Sequence, residues 1–124
     1  MRVRMTGIIS IEKHSLSILQ GVWALGDSTE AHQAATDHTQ RRFKYTCNRP
    51  WVIGGPKQCF HGCFTIDSDA PPVSETNIFL AIARKRFKAG NNFEIIGDGA
   101  NEFGNFSMKG KVRGHRLIMY RTYL

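Results

Sequence analysis

The stretch from Phe93 to Tyr123 is the feature of this sequence that most constrains its fold, because its apolar residues recur at every second position. A period of two is typical of a half-buried β-strand, since successive side chains of a strand point to opposite faces of the sheet. Two glycine-containing breaks, G-D-G-A-N and K-V-R-G-H, separate the alternating runs and suit turns. The stretch therefore predicts three short strands, which is about the smallest sheet that is stable alone.

The glycines of this stretch do not form a phosphate-binding loop. Gly97 and Gly99 are followed by Asn101 and Glu102 instead of a third glycine at the required spacing, and the next residues are typical of a strand rather than a helix. Asp98 and Glu102 are also too few, and wrongly spaced, for an EF-hand calcium loop. We therefore expect turns here and no bound cofactor.

Short strand patterns and turn signals continue upstream, through 59–66 and 77–83, and predict a mainly β protein. We expect a small antiparallel meander, a half-barrel or a barrel of about five to six strands. The loop at 47–58 holds Pro50 and Pro56, and it divides a β-module at 51–124 from an N-terminal arm at 1–50.

The N-terminal arm is expected to be helical or extended, with one polar helix over about 28–45. Asp27 or Ser28 is a suitable N-cap, and the alanines that follow favour a helix. Arg41, Arg42 and Lys44 crowd its end, where positive charge is favourable. The apolar stripe is thin, so the sequence predicts a helix that packs weakly.

The spacing of residues in the last third of the chain resembles a known family. The pattern is Gly97-x-Gly99-x-Asn101-x-Phe103-Gly104-x-Phe106-x-Met108-x-Gly110, followed by Ile118-x-Tyr120-Arg121-x-Tyr123. It resembles the closing meander of lipocalin-like proteins, uncharacterised protist and algal ones among them. The resemblance implies a small β-barrel or half-barrel and transfers no catalytic residue. In lipocalin-like barrels a late basic residue often closes one end over an aromatic ring, and the resemblance suggests Arg121 for that role.

The chain is basic, with 17 Lys and Arg against 10 Asp and Glu and a net charge of +7. Such a charge suits anionic partners, nucleic acid among them. If the hairpin ends of the β-module lie together, they form a basic patch; its candidate members are Arg84, Lys85, Arg86, Lys88, Lys111, Arg113 and Arg116. The alternative is a solvated sheet edge, where lysines also oppose aggregation.

The cysteines predict no metal site and a reducing compartment. Cys59, His61 and Cys63 alternate along one predicted strand, so neighbouring members lie about 7 Å apart. Zinc bonds are only about 2 Å long, so these residues and Cys47 are better explained as thiols and a histidine of the sheet. Three cysteines are an odd number, which favours an intracellular protein over a secreted disulfide framework. An organellar location is the alternative, because the N-terminus is basic.

No acid, base and nucleophile converge in this sequence, so we expect a protein that is not an enzyme. The leading hypothesis is a protein–protein interaction module, a small accessory subunit of a larger assembly, with Trp23 and Trp51 as anchors for a protein partner. The alternatives are a basic nucleic-acid-binding protein and a lipocalin-like carrier of a small apolar ligand. No apolar run has the length of a transmembrane helix.

Overall fold

The chain forms one closed barrel of eight antiparallel strands. The structure, a computed structural model, describes residues 2–11, 16–25, 41–66, 69–84 and 92–124. Each strand pairs with the next along the chain, and the last pairs with the first. The strands are β1 Arg2–Ile11, β2 Ser17–Leu25, β3 Arg42–Cys47, β4 Gln58–Phe64, β5 Val73–Arg84, β6 Asn92–Asn101, β7 Gly104–Arg113 and β8 Arg116–Tyr123.

The prediction of a mainly β, antiparallel fold is confirmed, and the barrel is the correct one of the three predicted forms. The predicted strand number was wrong: the described residues form eight strands where about five to six were expected. The additional strands come from the first fifty residues, where outward positions of β2 carry the apolar Ile18 and Val22. Apolar residues on both faces obscure the period of two, so the sequence of 15–25 fits either a short strand or an anchoring segment, and the structure shows the strand.

The predicted N-terminal helix is contradicted where the structure describes it. Arg42–Cys47 is strand β3, which pairs with both β2 and β4. Phe43 and Tyr45 point into the barrel while Lys44 points out, and burial of these rings outweighs the local helix signals. Residues 28–40 of the predicted helix lie outside the described residues. The described part of the first fifty residues thus supplies three strands of the barrel, and no helix occurs among the described residues.

Eight strands enclose an interior that is filled by side chains or holds one small ligand. At the end where β3 leads into β4, side chains fill it. Trp51, in the loop between these strands, lies edge-on against Phe60 with ring centroids 4.8 Å apart. Its indole Nε1 donates to the carbonyl oxygen of Leu80 at 3.0 Å. Trp51 therefore closes this end, and the opposite end is where an open space is found.

Within the described ranges there is no helix of the length and apolar character needed to cross a membrane.

Candidate functional site

A cavity of about 230 Å³ lies at the end of the barrel where β1 begins and β8 ends. We call it the mouth cavity. Most of its lining is apolar or aromatic, with two arginines and two tyrosines as the polar members. The lining residues are Val3, Met5, Trp23, Leu25, Arg41, Tyr45, Phe64, Ile66, Phe103, Arg121 and Tyr123.

A buried ion pair forms the inner boundary of the mouth cavity. Arg121 on β8 donates from Nη1 to both carboxylate oxygens of Glu75 on β5, at 2.9 and 3.1 Å. The two side chains are 4% and 0% exposed. Since β5 and β8 are not neighbours in the sheet, the pair crosses the interior and joins two separate walls of the barrel.

A glycine between two strands lets Tyr45 reach this ion pair. Tyr45 on β3 is opposite Gly62 on β4, and Gly62 is opposite Glu75 on β5. A Cβ added at Gly62 would lie 1.9 Å from the carbonyl oxygen of Lys44, so this position requires glycine. The Tyr45 hydroxyl donates to Oε1 of Glu75 and accepts from Nη2 of Arg121 at 3.3 Å. Tyr45 therefore bridges both charges.

Asn101 completes the hydrogen bonding of Glu75 from the end of β6. Its Nδ2 donates to Oε2 of Glu75 at 2.9 Å and to the hydroxyl of Tyr123 at 2.8 Å. Its Oδ1 accepts from the backbone nitrogen of Phe103 at 2.8 Å, which fixes the amide at the start of the β6–β7 turn. Each oxygen of Glu75 thus accepts two hydrogen bonds, which is what a buried carboxylate requires.

Arg121 is held on its other side by an aromatic ring. Its guanidinium carbon lies 3.9 Å from the ring centroid of Phe106. This is the arrangement of a late basic residue over an aromatic ring that the lipocalin-like resemblance implied. Burial opposes the charge, but Tyr45 and Glu75 outweigh it and raise the pKa of Arg121 above its ordinary value. The buried Nε of Arg121 has no hydrogen-bond partner among the described residues.

Tyr45 gives this network a measurable dependence on alkaline pH. Burial raises the pKa of the Tyr45 phenol above its ordinary value of 10.0, and Glu75 adds to the shift while Arg121 opposes it. The unfolded chain therefore loses this proton above about pH 10 while the folded chain keeps it. Stability from this group is complete below pH 10 and falls as pH rises above it.

We accordingly expect Tyr45→Phe to flatten the alkaline loss of stability. Relative to the variant, the wild-type free energy of unfolding should fall by up to about 1.4 kcal/mol per pH unit above pH 10. Urea unfolding at a series of pH values measures this difference. Tyr120→Phe, at a half-buried outward position, is the matched control. Parallel curves for wild type and Tyr45→Phe would contradict the prediction.

The two tryptophans proposed as anchors are both buried and lie at opposite ends of the barrel. Trp23 lines the mouth cavity, lies edge-on to Phe64 at 5.8 Å and donates from Nε1 to the carbonyl oxygen of Thr65 at 3.0 Å. Trp51 closes the other end. Both indole rings therefore pack within the interior of the chain.

The described members of the predicted basic patch are exposed at the end of the barrel away from the mouth cavity. Arg113 and Arg116 are opposite each other on β7 and β8, and Lys111 is two residues before Arg113. Arg84 is exposed at the end of β5, with its guanidinium 5.4 Å from the ring of Phe93. Lys85, Arg86 and Lys88 lie outside the described residues.

The cysteines are divided between the two faces of the sheet. Cys47 is buried in the interior, whereas Cys59, His61 and Cys63 lie on the outer side of β4. Across the described ranges, no cluster of three or more His, Cys, Asp or Glu side chains is arranged to hold a metal ion.

Comparisons with family models, with curated proteins and with solved structures gave no match for this chain. The eight-stranded antiparallel barrel is compatible with a lipocalin-like barrel. The narrower resemblance to protist and algal proteins has no support from these comparisons.

Proposed function

We propose that this protein binds a small amphipathic ligand in the mouth cavity and acts as a carrier or sensor of that ligand rather than as an enzyme. The observation that supports the proposal is an apolar cavity that ends on a buried, hydrogen-bonded ion pair. Ligand sites are typically concave and mostly apolar, with a few fixed polar groups that orient the ligand. Arg41, Tyr45, Arg121 and Tyr123 line the cavity and supply such groups, and Glu75 and Asn101 hold Tyr45, Arg121 and Tyr123 in place.

The size and charge of the mouth cavity suggest the class of ligand. About 230 Å³ is below the range of about 300–1,000 Å³ that drug-sized ligands occupy, so the ligand is small. Glu75 balances Arg121, and Arg41 adds a positive charge to the lining, with its guanidinium 5.0 Å from the ring of Trp23. A short apolar chain or ring with an anionic or hydrogen-bond-accepting head matches this surface.

Filling the mouth cavity should abolish binding. Ile66 lines the cavity and is 36% exposed, so we expect Ile66→Trp to occupy the space that the ligand needs. Calorimetric titration with octanoate, octanol and octylamine should show saturable binding to the wild type in that order of affinity. The variant should bind octanoate at least about tenfold more weakly, a loss of about 1.4 kcal/mol.

Ile53→Trp is the matched control, because Ile53 is 40% exposed in the loop at the closed end of the barrel. Its affinity for octanoate should stay within about twofold of the wild type. Absence of saturable binding of all three probes, or an equal loss in both variants, would overturn the proposed function.

A further inference from the structure

The outer surface of the barrel is strongly divided by charge. Five neighbouring strands, β7, β8, β1, β2 and β3, contain no aspartate or glutamate. We call their outward surface the basic face. The acidic residues that the structure describes lie on β5, on β6 and in turns. The exposed cations of the basic face are Arg2, Arg42, Lys44, Lys109, Lys111, Arg113 and Arg116.

Arg2 and Arg4 lie on the basic face at the start of β1, and toward the other end of this strand the cations lie in two groups with an apolar region between them. Ile8 and Ile118 are 44% and 41% exposed there, between the cations of β7 and β8 and those of β3. The strand register gives two rows across the face. The first row contains Arg113, Arg116, Ile8, Gln20 and Lys44, in the order β7, β8, β1, β2, β3. The second contains Lys111, Ile118, Thr6, Val22 and Arg42 in the same strand order. Three strand spacings separate Arg116 from Lys44, which is about 14 Å.

A groove of about 440 Å³ lies within this surface, beside the cations of β3. Ile8, Gln20, Val22, Arg42 and Lys44 are among its lining residues. It follows the line where Gly7 and Gly21 are paired across β1 and β2. Both glycines are among the lining residues of the groove. The groove therefore offers an apolar floor next to positive charge.

We propose that the basic face binds an acidic polypeptide segment that carries apolar side chains among its carboxylates. An apolar side chain of this segment occupies the groove against Ile8 and Val22. Carboxylates of the segment pair with Arg42 and Lys44 beside the groove. Exposed apolar surface with a polar rim is typical of interaction sites, and charge complementarity selects the partner. This inference uses a different surface from the mouth cavity and does not depend on the proposed ligand.

The face suits a polypeptide better than it suits nucleic acid. Non-specific single-strand binding uses aromatic side chains on which bases stack. The aromatic residue of the basic face is Tyr120, and the guanidinium of Arg2 already lies 4.3 Å from its ring centroid. Exposed isoleucines also make poor neighbours for phosphates, whereas they pack well against leucine or valine of a peptide.

Fluorescence anisotropy with three labelled probes of equal negative charge tests the inference on the full chain. The probes are a peptide in which leucine interrupts glutamates, a peptide of glutamate without leucine, and an oligothymidylate. We expect the leucine-containing peptide to bind most tightly, and Arg42→Glu/Lys44→Glu to weaken it about tenfold or more. The control Arg49→Glu/Lys57→Glu makes the same change of charge outside the basic face. It removes one exposed ion pair, between Lys57 and Asp98, which contributes little to stability.

A second pair of variants separates peptide from nucleic acid. Ile8→Ser should weaken binding of the leucine-containing peptide by about fivefold to tenfold and leave the oligothymidylate unchanged, whereas Ile53→Ser should leave both unchanged. Tighter binding of the oligothymidylate than of either peptide overturns the proposal in favour of nucleic acid. No binding of the leucine-containing peptide at low salt, or equal loss in both charge-reversal variants, also overturns it.

Discussion

Replacing Glu75 by glutamine is expected to lower the free energy of unfolding by about 3–5 kcal/mol, because it leaves the Arg121 guanidinium charged and unpaired inside the barrel. The amide has nearly the shape of the carboxylate, so the change removes charge without creating a cavity. The carboxylate side chain is 0% exposed, so water has no access to replace the lost interaction. Urea unfolding followed by far-UV circular dichroism measures the effect.

The exposed ion pair between Lys57 and Asp98 is the matched control. Its nitrogen–oxygen distance, 2.8 Å, is close to the 2.9 Å of the buried pair, but its side chains are 44% and 56% exposed. Asp98→Asn should therefore cost less than about 1 kcal/mol, because water screens such pairs. Glu75→Gln/Arg121→Met should recover part of the loss by removing the unpaired charge. Equal costs for Glu75→Gln and Asp98→Asn would contradict this account of the buried pair.

The arrangement around Glu75 also explains why a buried ion pair suits a binding site. Tyr45 and Asn101 saturate the carboxylate from two different strands, so the polar groups are fixed before a ligand arrives. Preorganised groups cost a ligand less entropy on binding than mobile ones. Because Glu75 neutralises Arg121, this ion pair presents no unpaired charge to the head group of a ligand. In the proposed site, the preference for an anionic or acceptor head therefore depends chiefly on Arg41, the other cation of the lining.

The C-terminal half of the barrel was predictable because its sequence separates the two faces of the sheet. The prediction of three strands within Phe93 to Tyr123 is confirmed by β6, β7 and β8. In β7 the outward positions are polar and the inward ones are apolar or glycine, so the period of two is unambiguous. The turn at Gly114 and His115 lies within the predicted break K-V-R-G-H. The predicted turn at 97–101 is wrong, because these residues form the end of β6 and pair with β7, and the β6–β7 turn lies at Glu102 and Phe103.

Glu75 was missed because of an irregularity that the sequence does not reveal. Ile78, Leu80 and Ile82 face inward on β5, and extending their alternation backward would point residue 76 inward and Glu75 outward. The register between β4 and β5 shifts at Phe60 and Gly62, so Glu75 faces inward instead. A β-bulge of this kind re-aims the side chains on one side of it and is common beside functional sites.

Arg121 was named through the resemblance alone. The other members of its network, Tyr45, Glu75 and Asn101, come from three other strands. Tyr45 lay within the predicted helix, so its inward orientation on β3 was hidden. Asn101 was interpreted as a turn residue, and it does begin the β6–β7 turn. Its second role, as a donor to Glu75, depends on closure of the barrel, which brings distant strands together. Sequence spacing within one strand carries no information about such contacts.

Introducing a single methyl group at Gly7 or Gly21 is expected to cost about 3 kcal/mol or more, or to prevent folding. A Cβ at Gly7 would lie 2.0 Å from the carbonyl oxygen of Gln20, and one at Gly21 would lie 2.0 Å from that of Thr6. These atoms belong to the paired backbones of β1 and β2, so neither atom moves away without breaking the strand pairing. Thermal and urea unfolding of Gly7→Ala and Gly21→Ala measure the cost.

Gly110→Ala is the control, since its Cβ would lie 3.0 Å from the nearest backbone atom, the carbonyl oxygen of Ile118, and 3.1 Å from the Met119 side chain, which has flexible bonds. It should cost clearly less than either of the other two, and equal costs for Gly7→Ala and Gly110→Ala would contradict the argument. Failure of Gly7→Ala to fold while Gly110→Ala folds supports it. Because both clashes separate the same two strands, Gly7→Ala/Gly21→Ala should cost less than the sum of the single changes. That non-additivity would show that the cost arises in the backbone pairing of β1 and β2 rather than at each glycine separately.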